Sequence, residues 1–359
     1  MKKLVLYGIA ILMAITLVIS CDDAKAVKTY TVTFKSDGGS EIAPVDVIEG
    51  EKVAKPADPT KKGYKFLEWQ LDGKAFSFEE AVTTDITLKA TWERDETVWD
   101  GKEVDSSWYD ETKPEFTIKK ASELAGLAQL VNKGTRFEGK TITLENDLDL
   151  GNYDWTPIGN VVSYPGQTFA GTFKGNNKVI SNMKAVSKTK DHATAGLFGS
   201  ITGKVHDLTL KDIAVESYHY AGGIVGYSSA NTGMEIKNCH IDGGSITSIP
   251  ELLDSGKYDN GDKAGGIIGY MVDGDLVEGC TVKNITVKAY RDIGGIIGCG
   301  AGTVKNNKFL DNVKLIQDNT NGYKPTRPDT IDSIVGRKES TIKLEANTGT
   351  ATIEFVPAK

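Results

Sequence analysis

Few side chains in this 359-residue chain have the types and spacing that chemistry needs. Paired carboxylates can cleave or eliminate at a sugar when they flank it at suitable distances. Asp147 and Asp149, Asp207 and Asp212, and the "DGD" at 273–275 are the available pairs. None is joined to a Lys, Arg or His by a repeated spacing, and a solvated polar face accounts for them. "YDNGDK" at 258–263 gathers Tyr258, Asp259 and Asp262, oxygen donors of the kind calcium takes. It lacks the later glutamate of a complete calcium loop, so no cofactor is expected and no metal site is assigned. Cys239, Cys280 and Cys299 form no CxxC pair, and the histidines at 192, 206, 219 and 240 do not cluster in sequence.

The residue with the strongest chemical expectation is Cys21. Lys2 and Lys3 precede the apolar run "LVLYGIAILMAITLVI", and "SC" follows. A basic start before an apolar run of this length reads as an export signal, with an uncleaved transmembrane anchor as the alternative. "VISC" resembles a bacterial lipobox, which implies cleavage before Cys21 and lipidation of its thiol. Asp22 and Asp23 resemble the acidic surface-export signals of Bacteroidota lipoproteins. The resemblance implies a signal peptide at 1–20, a tether at 21–28 and a lipid-anchored protein at the outer membrane or cell surface. The membrane is then a partner through the anchor. Nucleic acid is not a partner, because a net charge of −7 without a basic patch repels phosphate.

Thirty-nine glycines and recurrent Val, Ile and Thr runs favour strands and tight turns. In "YTVTFKSDGG", Tyr30, Val32 and Phe34 alternate with threonines. A proline-rich connector follows, then an aromatic strand around Tyr64, Phe66 and Trp69, then "DITLKATW". Gly63, Tyr64, Phe66, Trp69, Leu88, Ala90 and Trp92 carry a pattern that resembles the Listeria-Bacteroides repeat of internalin-type surface proteins. That resemblance implies a β-grasp-like spacer or binding module over 29–92, with no catalysis. Core packing is the expected role of its aromatics, and an exposed Trp69 serving as a carbohydrate platform is the alternative. Residues 93–115 are acidic and lack apolar periodicity, and they read as a linker with some order around Trp99, Trp108 and Tyr109, whose rings are expected to dock onto a neighbouring domain.

Beyond residue 116 the pattern changes. Leu124, Leu127, Ala128 and Val131 form one stripe of a helix over 121–132, with Gly134 at its end. "AGLFG", "AGGIVG", "AGGIIG" and "IGGIIG" then end at residues 199, 226, 269 and 298, and a weaker "DSIVG" ends at 336. Spacings of 27 and 29 are too short for a propeller blade and suit one coil of a solenoid. The spacing of 43 returns to 27 when the 16 residues from 248 to 263 are taken as a loop at a corner. The register predicts inward columns Leu208–Cys239–Cys280–Asn307 and Leu210–Ile241–Val282–Phe309. It also predicts that Cys239 and Cys280 stack one coil apart, within disulfide range, as buried free thiols, with a disulfide as the alternative. The last residues, "STIKLEANTGTATIEFVPAK", are expected to close the end as a β-hairpin.

Trp155, Pro157, Phe169, Phe173, Gly196 and Phe198 sit in phrases that resemble the GLUG-type repeats of bacterial surface proteins and of the non-catalytic region of certain immunoglobulin-cleaving proteases. The fold class expected is all-β: a β-grasp-like module, then a right-handed parallel β-helix over 116–359 capped by the helix. The function expected is non-catalytic adhesion or ligand binding at the cell surface, with glycans or host extracellular proteins as partners. Tyr258, Asp259, Asp262 and Trp69 are the ligand-contact candidates. The alternative is a carbohydrate-active β-helix enzyme, a polysaccharide lyase or glycosidase.

Overall fold

A computed structural model describes residues 27–160, 167–188, 193–229, 233–249, 263–318, 331–332 and 334–357. Cys21 and most of the 248–263 insert lie outside these residues. The chain divides into two compact units, one ending at Glu93 and one beginning at Arg94.

The first unit is a five-stranded mixed sheet. Its strands are β1 (Thr29–Lys35), β2 (Val45–Ile48), β3 (Tyr64–Leu71), β4 (Lys74–Ala75) and β5 (Ile86–Arg94), in the order β2-β1-β5-β3-β4. β1 pairs antiparallel with β2 and parallel with β5. Alternation sends Val32 and Phe34 into a core shared with Val47, Val53, Trp69, Val82, Leu88 and Ala90. Trp69 is its largest member, with ring edges of Phe34 and Phe66 at centroid distances of 5.1 and 5.5 Å. Asp72 and Gly73, both at positive φ, form the two-residue turn between β3 and β4.

The second unit starts earlier than the sequence pattern suggests. Residues 94–115 are packed as part of it and do not behave as a linker. Trp99 is buried against Trp155, and Trp108 and Tyr109 pack on Phe116 and Phe137. The stretch is built from local turns: Asp95, Asp100, Asp105 and Asp110 each accept the backbone N–H two residues on. Such Asx turns need no apolar period, so periodicity could not reveal them.

The helix α1 (Ala121–Asn132) buries Leu124, Leu127, Ala128 and Val131 as its stripe requires. The Glu123 carboxylate accepts the N–H groups of Lys119 and Lys120 at its start, and Gly134 follows its end at φ +107°. Gly126 faces the Asx-turn segment so closely that a Cβ would lie 1.9 Å from the Asp105 carbonyl oxygen.

A parallel β-helix follows. Strands 198–201, 225–228, 268–271, 297–300 and 335–338 form one sheet, with Phe198, Val225, Ile268, Ile297 and Val335 in register. The copy ending at Gly336 therefore keeps the same strand register although it lacks paired glycines. A second short sheet stacks 194–195, 220–222, 263–265, 292–294 and 331–332, and a long sheet closes the coil. Leu210, Ile241, Val282 and Phe309 align and are buried, as are Cys239, Cys280 and Asn307. All three described cysteines are free thiols. Asn307 is satisfied inside the core: its Oδ1 accepts the Cys280 N–H at 2.8 Å, and its Nδ2 donates to the Val277 carbonyl and to Asn347 Oδ1.

The tail differs from expectation. Lys343–Glu345 and Thr352–Val356 pair in parallel with 303–305 and 314–318. They add a coil where a hairpin was expected, because the same register that built earlier coils still offers them an open sheet edge.

Candidate functional site

The carboxylates that suggested acid–base chemistry are occupied with the backbone. Asp207 and Asp212 sit at φ 55° and 52° in left-handed corners. Neighbouring coils place Asn238, Gly279 and Asn306 at the first corner and Asn182, Gly243 and Asn284 at the second, all at positive φ. Asn, Asp and Gly enter that region at least cost, so these positions are conformational. The Asp207 carboxylate also accepts from Asn238 Nδ2 at 3.0 Å. Asp147 accepts the Val179 N–H, and Asp149 accepts those of Gly151 and Asn182 Nδ2. Asp273 closes its own turn through the Gly274 N–H. Asp275 is 1% exposed, with Oδ1 on the Met234 N–H and Oδ2 without a partner; burial pushes its pKa up to about 6.

The other candidates are equally separated. Trp69 is 2% exposed, so it cannot serve as a carbohydrate platform; the module needs its ring to fill the core. Tyr258, Asp259 and Asp262, with the calcium reading of "YDNGDK", lie outside the described residues. His240 Nδ1 lies 2.8 Å from Thr281 Oγ1, while His206 sits half-buried, 3.7 Å from Glu235. Among the described residues no three His, Cys, Asp or Glu side chains gather as a metal site.

The structure does assemble polar and aromatic groups where the two short sheets meet. One register column runs Thr194, Tyr220, Lys263, Asp292. The other runs Ser200, Tyr227, Tyr270, Cys299, Arg337. Tyr227 and Tyr270 stack with centroids 5.4 Å apart and planes 9° apart, and Tyr220 lies 5.1 and 5.8 Å from them. The Lys263 ammonium sits 5.2 Å from the centre of the Tyr220 ring and 5.8 Å from that of Tyr270. Arg337 lies 3.6 Å from Asp292 and 3.3 Å from Glu339, and the Tyr270 hydroxyl donates to Glu339 at 3.4 Å.

Electrostatics follow from burial. Lys263 is pushed down chiefly by desolvation, against an opposing pull from Asp292. Tyr227 and Tyr270 are pushed up, again by burial first. Cys299 is raised to about 12 by burial and then by Asp292, so it stays a neutral thiol rather than a nucleophile. The site can therefore hold and orient a ligand through ammonium, phenol and ring contacts.

Sequence reasoning missed this cluster. Its signal was the residue after the last glycine of each copy, which reads Ser200, Tyr227, Tyr270, Cys299 and Arg337. At the helix-capped end, a cavity of about 320 Å³ is lined by Trp99, Val104, Ala125, Gln129 and Trp155. A second of about 300 Å³ reaches Thr194, the first residue of the Tyr220 column.

Residues 30–91 match the Listeria-Bacteroides repeat domain. Two Evansella cellulosilytica proteins, provisionally named a membrane protein and a Gly-rich membrane protein, resemble the same region. One is 38% identical over 74 residues, covering 20% of this chain and 11% of the relative. The other is 37% identical over 71 residues, covering 19% and 8%. The chain thus spans about a tenth of the length of the curated relatives it matches. Among solved structures, a Bacteroides ovatus protein provisionally named an immunoglobulin A1 protease aligns at 19% identity with a TM-score of 0.43. The alignment covers 70% of this chain and 85% of that one.

Proposed function

We propose that this protein is a non-catalytic, lipid-anchored cell-surface protein whose β-helix binds a ligand presented outside the cell. Cys21 at the end of an apolar export signal supplies the anchor, and two or more acyl chains make such an anchor stable. The Listeria-Bacteroides repeat at 30–91 acts as a spacer, and the relatives that share it carry membrane-protein names. The GLUG-like phrases of the second unit agree with a role outside the cell.

The observation that carries the binding reading is the fate of the carboxylates. Asp147, Asp149, Asp207 and Asp212 hold backbone and corner contacts, which leaves them badly placed to act as a pair across one sugar. The clustered tyrosines beside Lys263 are suited to contact instead.

Fractionation of cells carrying Cys21→Ala tests the anchor. The variant should leave the membrane fraction or accumulate unprocessed, and unchanged partition with unchanged processing refutes anchoring. Incubating the full chain with a polysaccharide panel tests the absence of catalysis. New reducing ends or unsaturated uronates would overturn the non-catalytic reading, and an array of glycans and extracellular-matrix proteins should return a ligand.

A further inference from the structure

Lys263 is the anomaly of the second unit. It is 8% exposed, yet no hydrogen-bond acceptor or ion-pair partner meets its ammonium among the described residues. A cation is seldom buried without a partner, because desolvation goes unrepaid. The nearby carboxylates do not fill the role. Asp292 and Glu339 both engage Arg337, and Glu339 also accepts from Tyr270. What surrounds Lys263 is aromatic: the rings of Tyr220 and Tyr270, with Tyr227 stacked on Tyr270. Ser200, one coil before Tyr227 in the same column, has a buried Oγ that also lacks a partner.

We propose that Lys263, with Tyr220, Tyr227 and Tyr270, forms a binding subsite for the carboxylate of an acidic sugar. The proposal rests on the binding reading above and names its ligand class. A carboxylate completes the ammonium with charge-assisted hydrogen bonds, the strong kind. The pyranose ring of a uronate or sialate brings an apolar C–H face to phenol rings and hydroxyls within reach of phenol oxygens. An acidic peptide side chain brings the carboxylate without that ring face. No bond is made or broken at the site.

The test titrates the full chain, in detergent, with three matched pairs by calorimetry. These are trigalacturonate and its methyl ester, a hyaluronan tetrasaccharide and its carboxyl-reduced form, and sialyllactose and its methyl ester. At least one acid is expected to bind, with its neutral partner weaker by about tenfold or more, as loss of a charged hydrogen bond implies. Lys263→Met should lose the same factor with its melting curve unchanged, and Lys263→Arg should restore part of it. Should Lys263→Met fail to fold, the acid-to-neutral ratio on the native chain still decides.

Equal binding of acid and neutral forms, binding to none of the six, or an acidic peptide bound as tightly as the best sugar overturns the inference. Neutral-glycan binding that survives Lys263→Met overturns it while leaving the surface-binding function intact. That function fails separately, if Cys21→Ala changes nothing and the array returns no ligand.

Discussion

Two turn glycines of the module and the glycines that join the short sheets of the β-helix are there for opposite reasons. In the module, Gly50 and Gly73 sit at φ +86° and +81° with nothing within 4 Å of where a Cβ would stand. They are there for backbone conformation. In the β-helix, Gly222, Gly265 and Gly294 lie outside the left-handed region, yet a Cβ would lie 2.0–2.1 Å from a carbonyl oxygen. They are there because the backbones of the two short sheets come into contact across the turn that joins them. The cores differ in the same sense. The module gathers seven buried apolar residues around one tryptophan, whereas the β-helix spreads its core over columns to which successive coils contribute. A module of this kind should fail at a point, and a solenoid should fail where stacking is interrupted.

The sharpest way to break the contrast is Gly265→Val. Its side chain cannot fit without separating the sheets, and a loss of about 5 kcal/mol or more is expected. Calorimetry should show the β-helix transition collapse while the module's transition stays. A β-helix transition that hardly moved would mean the sheets can part at little cost.

Trp69→Ala removes the module's central ring and should cost about 3–5 kcal/mol, enough to unfold so small a core. Here the expected result is reversed: the module's transition disappears and the β-helix melts as before. If both units lost stability together, the division at Glu93 would not describe their energetics.

The next effect is pH-dependent. The Asp275 carboxyl has a folded pKa of about 6, above its ordinary 3.8. The folded state holds its proton more tightly, so its contribution is fully present below about pH 3.8 and is lost as pH rises through about 6. Urea titrations from pH 4 to 7 should show up to about 3 kcal/mol of that loss in the native chain and none in Asp275→Asn. Glu235 runs the other way. Lys204 and Lys237 hold it down to about 2, so its contribution is present above pH 4.5 and fades as pH falls towards 2. The module has no buried carboxyl among its described residues, and its stability should be flatter from pH 4 to 7.

The smallest effect is Gly73→Ala. Space is open at that site, so only the left-handed backbone resists, at about 1 kcal/mol. Chemical denaturation of the module resolves this; a loss as large as that of Gly265→Val would erase the distinction between the two uses of glycine.

Much of the architecture was legible before any coordinates. Leu124, Leu127, Ala128 and Val131 placed the helix at 121–132, where it lies. The glycine spacing placed Gly199, Gly226, Gly269 and Gly298 in one register, and strand alternation placed Leu210, Ile241 and Val282 in one column. Less visible were the segment from Arg94, built from Asx turns, and the last coil, whose strands pair with chain some 40 residues earlier. Core packing was the expected role of Trp69, and its ring is buried in the module's core.

By itself, then, the order of residues determined what is local and periodic. Alternation sets which side chains share a face, and recurrent small residues set where coils can touch. The meeting of Tyr220, Lys263, Tyr270 and Arg337 was decided only in three dimensions. Tyr220 belongs to one coil, Lys263 and Tyr270 to the next and Arg337 to a later one, and their proximity depends on the lengths of the loops between coils and on the turn that joins the two short sheets. Burial settled the rest. The same lysine would be an ordinary solvated cation on an open strand, and is desolvated among tyrosines because the stacked coils bury it.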